Sequence, residues 1–144
     1  MKIFLSHYPK ASGAHGLMSS ILLGLGENER ALEEAEKESH PFWNLYNKSM
    51  AVFAMGNADE ADALLTQLIE DWGEVAWPNI AAVYAFRGNK DAAFTWLDLA
   101  YNNRDGSLME ILAYPEMDKL WGDPRWNDFI DKLGLPEDHG FHRD

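Results

Sequence analysis

The chain has no cysteine. That absence excludes disulfide scaffolds, thiolate metal sites, iron–sulfur clusters and cysteine nucleophiles, and it fits a reducing compartment. Basic residues are scarce: 12 Lys and Arg face 24 Asp and Glu, for a formal charge of −12. Residues 1–26 carry Lys2 and Lys10 and no acid, so the excess of acid lies in the rest of the chain. Such a surface repels phosphate backbones, whose binding requires basic side chains to displace counterions, and direct nucleic-acid binding is not expected. No apolar run approaches the ~20 residues of a membrane helix, so no membrane partner is expected either. Near the start only Ile3, Phe4 and Leu5 run together as apolar residues, too short a stretch for a signal peptide. The chain reads as non-secreted and cytoplasmic.

Chemistry-bearing motifs are equally thin. Gly24-Leu25-Gly26 resembles the start of a dinucleotide fingerprint, but Glu29 stands where the third glycine belongs and would oppose a pyrophosphate. His7, His15 and His40 have no histidine at helical ligand spacing, and His139 and His142 lie in a polar stretch after Pro136. A structural zinc site needs four well-placed ligands. The acids from Glu27 through Glu29, Glu33, Glu34, Glu36 and Glu38 read as a solvated helix face, and no serine sits in a GxSxG context. No catalytic residue, cofactor or metal ligand is expected, and the chain does not read as an enzyme.

What the sequence does have is repetition. Gly26, Gly56 and Gly88 are each followed by an acid three residues later and an alanine five later, namely Glu29 and Ala31, Asp59 and Ala61, Asp91 and Ala93. Seven residues before each glycine the side chain is small (Ser19, Ser49, Ala81), and four before it is apolar (Leu22, Val52, Tyr84). Nine after come Ala35, Leu65 and Leu97. Glycine permits the positive φ that ends a helix, and Asn57 and Asn89 stand where a side chain caps the next one. Glu60 follows Asn57 at capping-box spacing. Small residues on both sides of the turn let two antiparallel helices approach closely. Ala61, Leu64, Leu65, Leu68, Ile69 and Trp72 form a stripe of period 3.6, as do Ala93, Trp96, Leu97 and Ala100. Trp72 and Trp96 therefore read as core. No stretch alternates with period two, so the expected fold class is all-α.

These hairpins resemble tetratricopeptide repeats, whose helix–turn–helix unit recurs about every 34 residues. The third copy, from Trp77 through Ile80, Ala81, Tyr84 and Gly88 to Ala93, Leu97 and Ala100, fits best. The second departs at Lys48, the first at His15 and Glu38, where apolar residues are usual. A narrower resemblance runs through IAAVYAFRGNKDAAFTWLDLAYNNRDGSL and DPRWNDFIDKLGLP, over roughly residues 10–136. It is to a module that follows bacterial adenylate-cyclase domains or winged-helix regulators, whose catalytic and DNA-binding domains have no counterpart here. The resemblance implies an α-solenoid of about three repeats (12–40, 41–73, 74–107) with a cap at 108–136. This gives a single domain over 1–136, with 137–144 as a flexible tail. Length agrees, since 144 residues suffice for one domain with its own core. The cap also follows from the residues. Leu108, Ile111 and Leu112 precede Pro115, and Asp123-Pro124 starts a helix whose buried face is Trp126, Phe129, Ile130 and Leu133.

By the family pattern, the first helix of each hairpin lines a concave partner groove. That places Trp43, Tyr46, Met50 and Phe53 there from the second hairpin and Pro78, Ala82 and Phe86 from the third. The first hairpin would offer Gly13, Gly16, Ser20, Leu23 and Gly24, nearly bare of side chains. Relatives that clamp a peptide carboxylate use Lys, Asn and Arg on this surface, so that ligand class is disfavoured. An open aromatic groove would need a filler: the chain's own Ile3, Phe4 and Leu5, a second copy in a homodimer, or a partner's basic or amphipathic helix. The expected function is a non-catalytic protein–protein interaction module binding a peptide or helix. The alternative is an oligomerisation or regulatory segment of a larger signalling or transcription-regulating protein.

Overall fold

The computed structural model describes residues 13–136 and 139–143, and every regular element among them is helical. The chain divides into two compact units, Met1–Glu74 and Val75–Asp144. The first holds α1 (Ala14–Gly24), α2 (Asn28–Lys37), α3 (Pro41–Ala54) and α4 (Ala58–Trp72). The second holds α5 (Trp77–Phe86), α6 (Lys90–Asn102), α7 (Leu108–Leu112), a 3₁₀ turn (Pro115–Leu120) and α8 (Pro124–Lys132).

The three repeated glycines close α1, α3 and α5 in one geometry. Gly26, Gly56 and Gly88 have φ of 76°, 88° and 78°. Each donates its N–H to the carbonyl three residues back, that of Leu23, Phe53 and Ala85, at 3.1, 2.9 and 2.9 Å. The next residue donates to the carbonyl five back, that of Leu22, Val52 and Tyr84, at 2.9, 3.2 and 2.9 Å. This pair of bonds satisfies two carbonyls that a helix end otherwise leaves open, and it turns the chain into the following helix. The Asn57 side chain then accepts the Glu60 N–H at 3.4 Å, and the Asn89 side chain accepts that of Ala92 at 3.2 Å. The Glu60 carboxylate answers by accepting from the Asn57 side-chain amide (2.8 Å), not from the backbone N–H that a capping box uses.

Across each turn the small residues are fully buried: Ser19 and Ala31, Ser49 and Ala61, Ala81 and Ala93 all have 0% exposure. In the first hairpin the approach is close enough for Ser19 Oγ to donate to the Ala31 carbonyl at 2.7 Å. Bulkier residues fill the remaining space. Leu65 and Leu68 are buried in the first unit, and Ile80, Val83 and Leu97 in the second. Each such side chain contributes about 1.5–3 kcal/mol relative to exposure.

In the second unit α8 lies beside α6. Arg125 Nη1 meets Asp91 Oδ1 at 2.8 Å, and Lys132 Nζ meets Asp98 Oδ1 at 2.9 Å. Both pairs advance by seven residues in the same sense, so the two helices run parallel where they meet. The cations also lie over rings: Arg125 is 4.7 Å from the Phe94 centroid, and Lys132 is 4.7 Å from that of Tyr101. These ion pairs are exposed and contribute little alone; Trp126, Phe129 and Ile130 beneath them are buried.

A fourth turn of the same kind ends α6 without glycine. Arg104 has φ 54° and donates to the Tyr101 carbonyl, while Asp105 donates to that of Ala100, both at 3.0 Å. A left-handed backbone costs a non-glycine residue about 1–2 kcal/mol. The Arg104 side chain is exposed and makes no hydrogen bond or ion pair among the described residues to offset it. Arg104→Gly is therefore expected to stabilise the chain by ~0.5–1 kcal/mol after the extra unfolded-state entropy of glycine is counted. A thermal melt reads this as a rise of roughly 1–4 °C; a fall in the midpoint would contradict it.

Candidate functional site

The expected groove residues of α3 form one stripe, with Trp43, Tyr46, Met50 and Phe53 spaced three, four and three apart. Their accessibility is not uniform. Tyr46 and Met50 are each 1% exposed, whereas Trp43 and Phe53 are half-buried. The Tyr46 ring packs between Phe42 (5.7 Å, stacked) and Trp43 (5.6 Å, edge-on), and Phe42 meets Trp72 edge-on at 5.2 Å. In the second unit Pro78 and Ala82 of α5 are buried and Phe86 is half-buried. Lys119 donates to the Phe86 carbonyl and holds its ammonium 5.2 Å from the ring centroid, a cation at a helix C-terminus where the dipole favours one. Four of the seven expected groove residues are thus closed to solvent, and Trp43, Phe53 and Phe86 keep accessible area. Ile3, Phe4 and Leu5, expected as one filler, lie outside the described residues.

In the bare strip of the first hairpin, Gly16 and Ser20 serve packing within the unit, while Gly24 is exposed. Gly16 faces α3 so closely that a Cβ there would lie 2.9 Å from Asn47 Nδ2 and 3.3 Å from Trp43 Cβ. Asn47, 1% exposed, accepts from Ser20 Oγ at 2.9 Å and donates to the Trp43 carbonyl at 3.0 Å. The opposite side of α1 and its C-cap carry an apolar stripe facing water: Leu17, Ile21 and Leu25 are 54, 43 and 69% exposed.

His15 and Glu38, the two departures of the first repeat, belong to one polar cluster. They stand eleven residues before and twelve after the turn glycine, so an antiparallel hairpin brings both to its open end. His15 Nδ1 lies 2.7 Å from Glu34 Oε2, and Lys37 Nζ lies 3.2 Å from Glu34 Oε1. The Glu38 carboxylate is 4% exposed and accepts three backbone N–H bonds: Gly13 at 2.9 Å, Gly16 at 2.8 Å and His40 at 3.0 Å. It therefore caps α1 from 22 residues downstream and ties the entry of α3 to the same point. The acidic run of α2 is accordingly not one solvated face: Glu29, Glu33 and Glu36 are exposed, while Glu34 and Glu38 turn inward.

Burial pushes the Glu38 carboxyl upward, but the N–H groups of Gly13, His40 and Gly16, aided by the charge of His15, hold it below its ordinary value. Burial likewise raises Glu34, and its bonds to His15 and Lys37 outweigh that. A general acid needs the opposite shift and a free oxygen facing a cleft. Both Glu38 oxygens are bonded to backbone amides, so its role is positional. In the second unit Asp123 caps α8 by accepting the Arg125 N–H at 2.9 Å, and its carboxyl is held at about 2, chiefly by the Arg125 side chain. Among the described residues no group of three His, Asp or Glu is placed to hold a metal ion, and no helix is long and apolar enough to cross a membrane.

No protein-family model, no curated protein and no solved structure matches the chain.

A carboxylate depressed in the folded state stabilises fully above its unfolded value, here 4.5, and loses that contribution as pH falls through the depressed one. Glu38→Gln sets an amide N–H₂ against donors and is expected to cost about 1–3 kcal/mol at neutral pH. Urea midpoints of wild type and variant should differ most at pH 7 and converge as pH falls below 4.5. A gap independent of pH would show that the Glu38 charge contributes nothing.

Proposed function

We propose that this chain is a non-catalytic protein–protein interaction module, an α-solenoid of tetratricopeptide-like hairpins closed by a capping helix. The observation that carries the reading is the threefold recurrence of one hairpin, with the same turn bonds, the same small residues across the turn and the same buried positions in the second helix. Repeats of this kind stack to present a continuous surface rather than a catalytic cleft. Within the first unit the partner contacts fall on the accessible aromatic residues at the two ends of the α3 stripe, Trp43 and Phe53. The net charge of −12 favours a basic amphipathic helix as the partner.

A second reading, self-association within a larger signalling protein, is favoured by the exposed stripe of Leu17, Ile21 and Leu25. The two readings separate in one set of measurements. Under the first, a basic helical peptide selected by display against the intact chain should lose about tenfold or more in affinity when Trp43 and Phe53 are both replaced by Ala, with far-UV circular dichroism unchanged. Undiminished affinity would remove α3 as the contact surface. Under the second, light scattering should show a concentration-dependent dimer that Leu17→Asp returns to monomer.

A further inference from the structure

The second unit contains a contact that the repeat architecture does not require. Residues 139–143 fold back onto α8 and the turn before it. Trp126 is fully buried, yet its Nε1 donates at 2.7 Å to the carbonyl of Phe141. Asn127 grips the backbone of Arg143 on both sides: its Oδ1 accepts the Arg143 N–H at 2.8 Å, and its Nδ2 donates to the Arg143 carbonyl. The Arg143 guanidinium lies 4.1 Å from the centre of the Trp121 ring, whose Nε1 finds no hydrogen-bond acceptor among the described residues. Trp121 thus offers its face. Asp131 pairs with Nε2 of His142. Within the segment, Arg143 Nη1 donates to the carbonyls of Gly140 and His142 (2.8 and 2.9 Å), and His139 Nδ1 accepts the Phe141 N–H (2.8 Å). The segment is a compact hook.

These contacts divide by what they read. Three bonds, one from Trp126 and two through Asn127, address main-chain groups that any non-proline residue supplies. The side-chain selectivity comes from a cation on the Trp121 face and a base beside Asp131. A side-chain amide bound to both the N–H and the C=O of one residue satisfies that residue as a neighbouring strand would, without demanding its identity. We infer that this notch of Trp121, Trp126, Asn127 and Asp131 is a docking site for a short arginine-bearing segment of a partner protein, and that residues 139–143 are its internal mimic. The charge of −12 favours a basic segment as the competitor. A tethered segment acts at an effective concentration in the millimolar range, so it shields the notch from weak ligands and yields to stronger or multivalent ones. The notch lies outside the three hairpins, and the inference stands independently of what they bind.

The test follows the Trp126 indole N–H by ¹H–¹⁵N NMR on the full chain, the resonance being assigned by its loss in Trp126→Phe. Arg143→Pro deletes the N–H that Asn127 accepts; Asn127→Ala removes the grip from the other side. Both should move the Trp126 resonance to a solvent-exposed position. Adding a synthetic peptide of residues 136–144 at millimolar concentration should return it in Arg143→Pro. The peptide should leave wild type unchanged, and in Arg143→Pro combined with Asn127→Ala it should act about tenfold more weakly or not at all. The same peptide with its arginine replaced by Ala should fail to return the resonance in Arg143→Pro. A resonance unmoved by both single variants, or one returned equally without Asn127, would overturn the assignment. Return by added wild-type chain but not by peptide would assign the notch to a second copy and overturn the partner.

Discussion

The fold depends on one backbone constraint: a helix must end, release its last carbonyls and start the next helix within three or four residues. A left-handed residue does this, because its N–H and that of the residue after it turn back onto two of the freed carbonyls. The bonds at Gly26, Gly56 and Gly88 repeat to within 0.3 Å. Once the turn is fixed, the angle and phase between the two helices are fixed as well, and the residues seven before and five after the glycine come to face each other. Those positions must be small, and Ser19, Ala31, Ser49, Ala61, Ala81 and Ala93 are. Turn and small pair are one requirement expressed in two places.

The first repeat shows how far the pattern bends. Twelve residues after the glycine, the second and third copies place Leu68 and Ala100 in the core; the first places Glu38. An apolar residue there would gain burial but leave the first N–H groups of α1 without partners. Three charge-assisted hydrogen bonds offset the desolvation of the carboxylate. The fixed start of α1 then seats Gly16 against α3, and that approach supports the aromatic group around Phe42 and Tyr46. A polar departure from the repeat is therefore a structural join, and Trp43 and Phe53 beside it keep accessible area.

Much of the helical layout was legible in the residues, because glycine, small residue and apolar stripe recur at fixed offsets and the helix period follows from them. The start of α8 was legible in Asp123-Pro124 for the same reason: capping and proline are local effects. What could not be read were contacts made by distant segments. Arg104 adopts the left-handed turn without the glycine that would have marked it. Glu38 looked like one more acid on a charged helix, since the amides it caps lie more than twenty residues earlier. Tyr46 and Met50 had the spacing of a binding stripe, and only packing shows that they are closed while Trp43 and Phe53 are not. The hook at 139–143 carries no pattern beyond polarity, and its anchoring through main-chain groups leaves almost no trace in side-chain identity.

The identity of the three hairpins, each set by the same turn, is open to a direct test. It is tested by replacing Gly26, Gly56 and Gly88 with Ala, one at a time, and measuring the loss of stability by urea unfolding. At each of the three a Cβ would meet no atom within 4 Å, so the cost arises from φ alone and not from crowding. Similar losses of about 1–2 kcal/mol are expected at all three sites, with near-additive losses in the double variant of Gly26 and Gly56. A neutral substitution at any one of them would contradict the claim that the turns share one geometry and one role.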